Sequence, residues 1–191
     1  MAQAEIGLIG LGVMGANLAL NIAEKGFPIA VYNRTADTTV KFHAGAGTLA
    51  DRVIPCRTLE EFAAAIRPPR PVIIMVKAGD PVDQNIALLR KLLSANDIII
   101  DAGNANFRDT IRRFTELEGS GLTFIGMGVS GGEEGARHGP SIMVGGTEQS
   151  YARVSSVLNA IAAKFKGESC CAWLGTDGAG HFVKTIHNGI E

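Results

Sequence analysis

The stretch Glu5-Ile6-Gly7-Leu8-Ile9-Gly10-Leu11-Gly12-Val13-Met14-Gly15 decides the fold of this chain. Glu5 to Ile9 is a short apolar run that ends in glycines, and Ala16 to Lys25 has helical composition with Leu18 and Ile22 among alanines. Strand, glycine turn and helix is therefore the reading. In that setting Gly10 permits the tight turn, Gly12 lets backbone approach a pyrophosphate, and Gly15 allows the helix to pack on the strand. The helix N-terminus then favours the negative charge of a dinucleotide. A Gly-Lys-Ser or Gly-Lys-Thr does not follow, so the turn is not a P-loop. Gly26 stops the helix, and Pro28 to Asn33 carries the β-prone Ile29, Val31 and Tyr32, which completes a βαβ unit of about thirty residues.

The same alternation continues outward. Thr58-Leu59-Glu60-Glu61 reads as a capping box that opens a helix to Ile66, and Pro68-Pro69-Arg70-Pro71 breaks the chain before a strand from Val72 to Val76. Pro81 starts a helix whose apolar face is Ile86, Leu88, Leu89, Leu92 and Leu93. A strand at Asp97 to Asp101, a helix at Arg108 to Leu117 and a strand at Leu122 to Ile125 follow. From Gly126 to Gly139 the expectation is a long glycine-rich loop, then a strand at Ser141 to Val144, a helix at Glu148 to Ala163 and a strand near Cys171 to Leu174. Alternating strands and helices predict an α/β fold of the Rossmann type, a doubly wound, mostly parallel sheet covered on both faces, with an added α/β extension. The division expected is a cofactor-binding domain over 1–176 and the start of an inter-domain helix over 177–191.

Composition narrows the function. With 46% hydrophobic and 19% charged residues the 191-residue chain reads as a soluble globular protein. A formal net charge of -1 supplies no field for nucleic acid or an anionic membrane, so a small molecule is the expected partner. The amino terminus lacks a signal-peptide pattern, and three unpatterned cysteines, Cys56, Cys170 and Cys171, point to reduced thiols in a cytoplasmic setting. Four histidines without a His-Glu-x-x-His spacing leave no expected metal site.

Cofactor choice falls to the end of the second strand, where an acidic residue would select NAD. Asn33, Arg34 and Thr35 stand there instead, and a guanidinium beside an amide and a hydroxyl suits the 2′-phosphate of NADP. Val76-Lys77-Ala78-Gly79 and Asp101-Ala102-Gly103-Asn104 each follow a strand, so both should face the crevice of Gly12. Ser130 within Gly126 to Gly135 lies among backbone N–H groups able to hold an anion, and it lacks the Gly-x-Ser-x-Gly elbow of a nucleophile. Finally, Lys184, His187, Asn188 and Glu191 fall at i, i+3, i+4 and i+7, one face of a helix from Phe182 to Glu191. His181 is ambiguous from sequence.

Together these segments resemble the amino-terminal half of the decarboxylating 6-phosphogluconate dehydrogenase family. The blocks that carry the likeness are Ile9 to Gly15, Asn33 to Thr35, Val76 to Gly79, Ile99 to Asn104, Gly128 to Arg137 and Gly178 to Glu191, in the family's order. Ala102 and Val144 depart from the pattern without touching an expected reacting group. The resemblance implies an NADP-dependent enzyme that converts 6-phosphogluconate to ribulose 5-phosphate, carbon dioxide and NADPH. It implies Lys184 as general base and Glu191 as the acid that protonates the enediol. Gly10, Leu11, Gly12, Val13, Met14, Gly15, Asn33, Arg34, Thr35, Val76, Lys77, Ala78 and Asn104 would bind cofactor, and Asn104, Ser130, Gly131, Gly132, His187 and Asn188 would hold substrate. Family members continue into a helical domain that makes a homodimer and part of the substrate pocket. The chain ends before it, so the isolated 191 residues are expected to bind NADP and turn over feebly or not at all. The alternatives are a β-hydroxyacid dehydrogenase acting on a smaller acid and a non-catalytic NADP-binding module.

Overall fold

In the computed structural model, which describes residues 3–190, the opening apolar run is strand β1 (Ile6–Ile9) and the glycine turn leads into helix α1 (Val13–Glu24). Strand β2 (Ile29–Tyr32) closes the first unit. Helix α2 (Ala36–Gly45), a 3-10 turn (Gly47–Arg52) and strand β3 (Val53–Cys56) then form a segment to which the sequence reading assigned no elements. The reason is local. Only Thr39 of α2 is buried, so the helix carries almost no apolar stripe, and β3 is an edge strand containing Pro55.

Helix α3 (Leu59–Ala65) begins as expected. Thr58 Oγ1 accepts from the Glu61 N–H at 3.1 Å and the Glu61 carboxylate accepts from the Thr58 N–H at 3.3 Å. Strand β4 (Pro71–Ile74), helix α4 (Asp80–Leu89), strand β5 (Ile98–Asp101) and helix α5 (Phe107–Leu117) repeat the alternation. Strands β1, β2, β3, β4 and β5 are parallel to their neighbours. Their residues divide between two cores, Ile73, Ile98 and Ile100 on one face and Val72, Ile74 and Ile99 on the other. Burial on both faces is what makes such strands read as unbroken apolar runs.

The expected loop over 126–139 is overturned. Strand β6 (Thr123–Ser130) runs through the glycines and the seven-residue helix α6 (Gly132–His138) follows it. The alternation along β6 explains the composition. Ile125 and Met127 are buried in the core, with Val129 packed against it, while Gly126, Gly128 and Ser130 are the intervening residues. Strand β7 (Ser141–Gly145) pairs antiparallel with β6, helix α7 (Glu148–Ile161) crosses back, and β10 (Cys171–Gly175) adds to the edge parallel to β7. A short hairpin, β8 (Lys164–Phe165) with β9 (Glu168–Ser169), was not foreseen; two-residue strands show no periodicity to read. The eight-stranded order is β10-β7-β6-β5-β4-β1-β2-β3.

Helix α8 (Ala179–Ile190) starts three residues before the expected Phe182 and lies on β6 and β7. Glycines on both partners make that approach possible. A Cβ on Gly128 would stand 2.6 Å from the Lys184 Cβ, one on Gly145 would stand 2.6 Å from the Gly180 N, and one on Gly180 would collide with the Met143 and Gly126 carbonyl oxygens. Backbone therefore rests on backbone where α8 meets the sheet.

Candidate active site

The three glycines of the turn act for three distinct reasons. Gly10 has φ of +101°, and a Cβ there would collide with the Met75 carbonyl oxygen. A Cβ on Gly15 would run into the Gly10 carbonyl oxygen, so helix and strand are in backbone contact. At Gly12 nothing lies within 4 Å of that position, which leaves open space above the start of α1. Gly12 is also the N-cap, contributes no side-chain hydrogen bond, and the first turn of α1 carries no acidic residue. The free N–H groups and the positive end of the helix face a position suited to phosphate.

Asn33 secures this turn, because its Oδ1 accepts from the Leu11 N–H at 3.1 Å. Leu11 itself is buried in the core and contributes its backbone to the turn. Two connected hollows share Gly10, Asn33, Val76 and Lys77. One, of about 360 Å³, is lined by Tyr32, Arg34, Thr35, Pro81, Gln84, Asn85 and Leu88. The other, of about 490 Å³, is lined by Gly12, Val13, Met14, Gly15, Met75, Gly103 and Asn104. The strand-end turns thus meet at one cleft, at the carboxyl ends of parallel strands. Leu88, expected on the buried face of α4, is 45% exposed and lines this cleft instead. Gln84 and Asn85 were missed because an ordinary polar helix face carries no motif. Ala78 lies in the β4–α4 turn, half-buried.

The second wall is α8. Lys184 is half-buried with its stem over Gly128, and Asn188 donates from Nδ2 to the Asn104 Oδ1 at 3.2 Å, joining two expected substrate residues that are 84 positions apart. His187 is half-buried one turn along from Lys184. Ser130 ends β6, 7% exposed, and Gly131 and Gly132 follow at φ of +122° and +59°. Glu191 lies outside the described residues. Glu133 takes a hydrogen bond from Asn17 at 3.4 Å and Arg137 pairs with Glu24 at 2.7 Å, so Glu133 and Arg137 bind α6 to α1, while Glu134 lies against His138 of its own helix.

Beneath the cleft lies a buried polar network. Asp101, fully buried, accepts from the Gly103 N–H at 3.1 Å and from Arg113 at 3.2 Å. Arg113 also reaches the Gly79 carbonyl oxygen and Asp83 on α4. Its hydrogen bonds, with those of Arg112, hold the Asp83 carboxyl below the usual range. Burial pushes the Asp101 carboxyl upward, opposed by His181, the Gly103 N–H and Arg113. His181 is 1% exposed, and burial pushes its imidazole downward against the pull of Asp101. Burial raises the Cys56 thiol to about 11 and the Cys171 thiol above its ordinary value, so neither supplies a thiolate near neutrality. Among the described residues no group of three His, Cys, Asp or Glu side chains is placed to hold a metal ion, and no helix is long and apolar enough to cross a membrane.

Residues 5–175 match the family model of the NAD binding domain of 6-phosphogluconate dehydrogenase. The chain belongs to that family. A decarboxylating 6-phosphogluconate dehydrogenase of Drosophila melanogaster is 52% identical over 189 residues, which are 99% of this chain and 39% of that protein. A solved Plasmodium falciparum 6-phosphogluconate dehydrogenase, described as apo, with its cofactor NADP+ and with its substrate 6-phosphogluconate, superposes with a TM-score of 0.93 at 42% identity. It covers 97% of this chain, which covers 40% of that one. A Mycobacterium tuberculosis 3-hydroxyisobutyrate dehydrogenase superposes at 0.80 with 25% identity over 98% of this chain and 60% of its own. The chain spans about two-fifths of the length of its curated 6-phosphogluconate dehydrogenase relatives.

Proposed function

We propose that this chain is the NADP-binding part of an enzyme that oxidises and decarboxylates 6-phosphogluconate to ribulose 5-phosphate. The observation that supports the reading is the Asn104–Asn188 bridge, which ties the helix bearing Lys184 to a turn that lines the cleft at the glycine turn. The residues present fit the cofactor. The open space at Gly12 and the uncapped start of α1 suit its pyrophosphate, and Arg34, Thr35 and Lys77 at the far hollow suit a 2′-phosphate. When bound, NADP supplies the acceptor for a hydride from the substrate's C3.

The chain's own residues do the rest. Lys184 accepts the proton of the 3-hydroxyl as the carbonyl forms. The same ammonium then donates to the carbonyl oxygen as the C1 carboxylate leaves as carbon dioxide. Glu191 keeps the role that the resemblance implies, protonation of the enediol at C1. Asn104, Asn188, His187 and Ser130 orient the sugar acid, and the N–H groups at Gly131 and Gly132 serve as hydrogen-bond donors. The exposed apolar side chains Phe182, Val183, Ile186 and Ile190 of α8 support a helical partner region and a homodimer in the whole protein. The free thiols support a cytoplasmic setting.

Calorimetric titration of the chain with NADP and with NAD tests the cofactor reading. NADP should bind at least tenfold tighter, and Arg34→Ala should remove most of that preference; equal affinities in the unaltered chain would overturn it. In a protein of the relatives' full length, Lys184→Met should abolish NADPH production from 6-phosphogluconate while NADP still binds. The β-hydroxyacid dehydrogenase reading survives only if NADPH forms without carbon dioxide.

A further inference from the structure

The face of α8 that carries Lys184 is fastened at both ends to the same short segment of chain. At one end the His181 ring, one turn before Lys184, meets Thr110 of α5 at 2.7 Å between Nδ1 and Oγ1. At the other end, one turn after Lys184, Asn188 donates to Asn104. Both anchors, Asn104 and Thr110, lie within the nine residues that follow β5. The Thr110 hydroxyl also reaches the Asn106 carbonyl oxygen at 3.3 Å. Which of Thr110 Oγ1 and His181 Nδ1 donates in the 2.7 Å bond follows the ring's tautomer, and either direction joins the same two atoms. Thr110 and His181 are 0% and 1% exposed, so water offers no substitute for either partner.

Helix α5 is itself braced. Arg113, one turn beyond Thr110 and 1% exposed, binds Asp101 at the end of β5, the Gly79 carbonyl oxygen before α4, and Asp83 within α4. One buried helix face therefore touches the β4–α4 turn, the β5–α5 turn and α8, the three walls that must hold their relative places for cofactor, substrate and base to meet. Phe107 packs edge-to-face on Phe182 at 5.2 Å between ring centroids, but Phe182 is 47% exposed, and aromatic contact alone slides more easily than a directed hydrogen bond.

We propose that Thr110 and His181 are positioning residues whose hydrogen bond sets the register of α8, and with it Lys184 and Asn188, against the Asp101–Asn104 turn. The catalytic consequence rests on the reading of Lys184 given above; the register does not. An α-helix that slips by one residue moves each side chain 1.5 Å along the axis and turns it by about 100°. Either displacement separates Asn188 from Asn104 and takes the amine out of reach of a hydroxyl bound beside Asn104.

Nuclear magnetic resonance on the 15N-labelled chain tests this. In the unaltered protein the Thr110 hydroxyl proton or methyl group must show a cross-peak to the His181 ring; its absence overturns the proposal without any substitution. Thr110→Val keeps the shape and removes the hydroxyl, and should speed amide exchange over residues 182–190 at least tenfold and shift the Asn188 side-chain amide signal. Exchange in α1 and α4 should stay within twofold. Thr110→Ser should restore the unaltered behaviour. Unchanged α8 exchange in Thr110→Val, or a Thr110→Ser chain as loose as Thr110→Val, sinks the register role. In a protein of the relatives' full length, addition of 6-phosphogluconate with NADP separates the two readings: Thr110→Val should leave NADP affinity within twofold and weaken the sugar-acid response tenfold. No response in the unaltered full-length protein would count against the functional reading, while the exchange data still decide the register.

Discussion

Replacing Gly128 by alanine probes how closely α8 sits on the sheet. The added Cβ would stand 2.6 Å from the Lys184 Cβ and 3.2 Å from both the Lys184 Cγ and the Gly180 carbonyl oxygen. Ordinary carbon–carbon contact needs about 3.5 to 4.0 Å, so α8 must move off the strand by about 1 Å at that point. The Gly180 backbone, already against the Met143 and Gly126 carbonyl oxygens, allows no slide in the other direction. Overpacking of this kind costs about 1–3 kcal/mol, while the loss of glycine's freedom in the unfolded chain returns about 0.4–1 kcal/mol. The net expectation is a destabilisation of about 1–2 kcal/mol, or about 2–8 °C in Tm for a chain of this size. Urea unfolding monitored by circular dichroism measures it, with Gly45→Ala as the control, since nothing lies within 4 Å of a Cβ there. A 1 Å shift would also stretch the 3.2 Å Asn104–Asn188 bond beyond hydrogen-bonding range. Were the segment the flexible loop that its glycines suggest, alanine would be neutral or stabilising. A Gly128→Ala chain as stable as Gly45→Ala would therefore refute the strand-and-helix packing described here.

Two further outcomes follow from other parts of the molecule. Because burial lowers the His181 imidazole in the folded chain, the unfolded chain binds the proton more readily below its ordinary value of 6.5. Stability should then be fully present above that value and fall as pH drops below it, by at most about 1.4 kcal/mol per pH unit for one group. The groups facing the ring are Asp101 and Arg113, with Asp83 behind them, and His181→Gln should flatten the dependence; an unchanged slope would assign it elsewhere. At α3, Thr58→Ala removes the oxygen that caps the Glu61 N–H and should cost about 1 kcal/mol by urea unfolding, whereas Thr58→Ser should cost almost nothing.

The glycine turn, the capping box at Thr58 and the alternation of apolar runs were legible because each depends on neighbours within a few residues. A Gly-x-Gly-x-x-Gly spacing dictates its own backbone, and Leu8, Ile9 and Ile73 declare burial whatever lies above them. The position of Arg34 at the cleft was legible for the same reason, two residues beyond a recognisable strand. The glycines from Gly126 to Gly132 were misread because a glycine has the same local signature whether it frees a loop or admits a neighbour. Only the arrival of α8, more than fifty positions later, distinguishes the two.

His181, Thr110, Arg113 and Asp101 mark the same boundary. Each is an unremarkable residue in sequence, and the bonds that join them span up to 71 positions. The sequence by itself therefore determined the α/β alternation, the glycine turn and the helix face bearing Lys184 and Asn188, since helical spacing alone aligns those side chains. Only the tertiary structure decided what that face rests on and at what register, because close contact between α8 and the sheet depends on Gly126, Gly128, Gly145 and Gly180 meeting across distant segments.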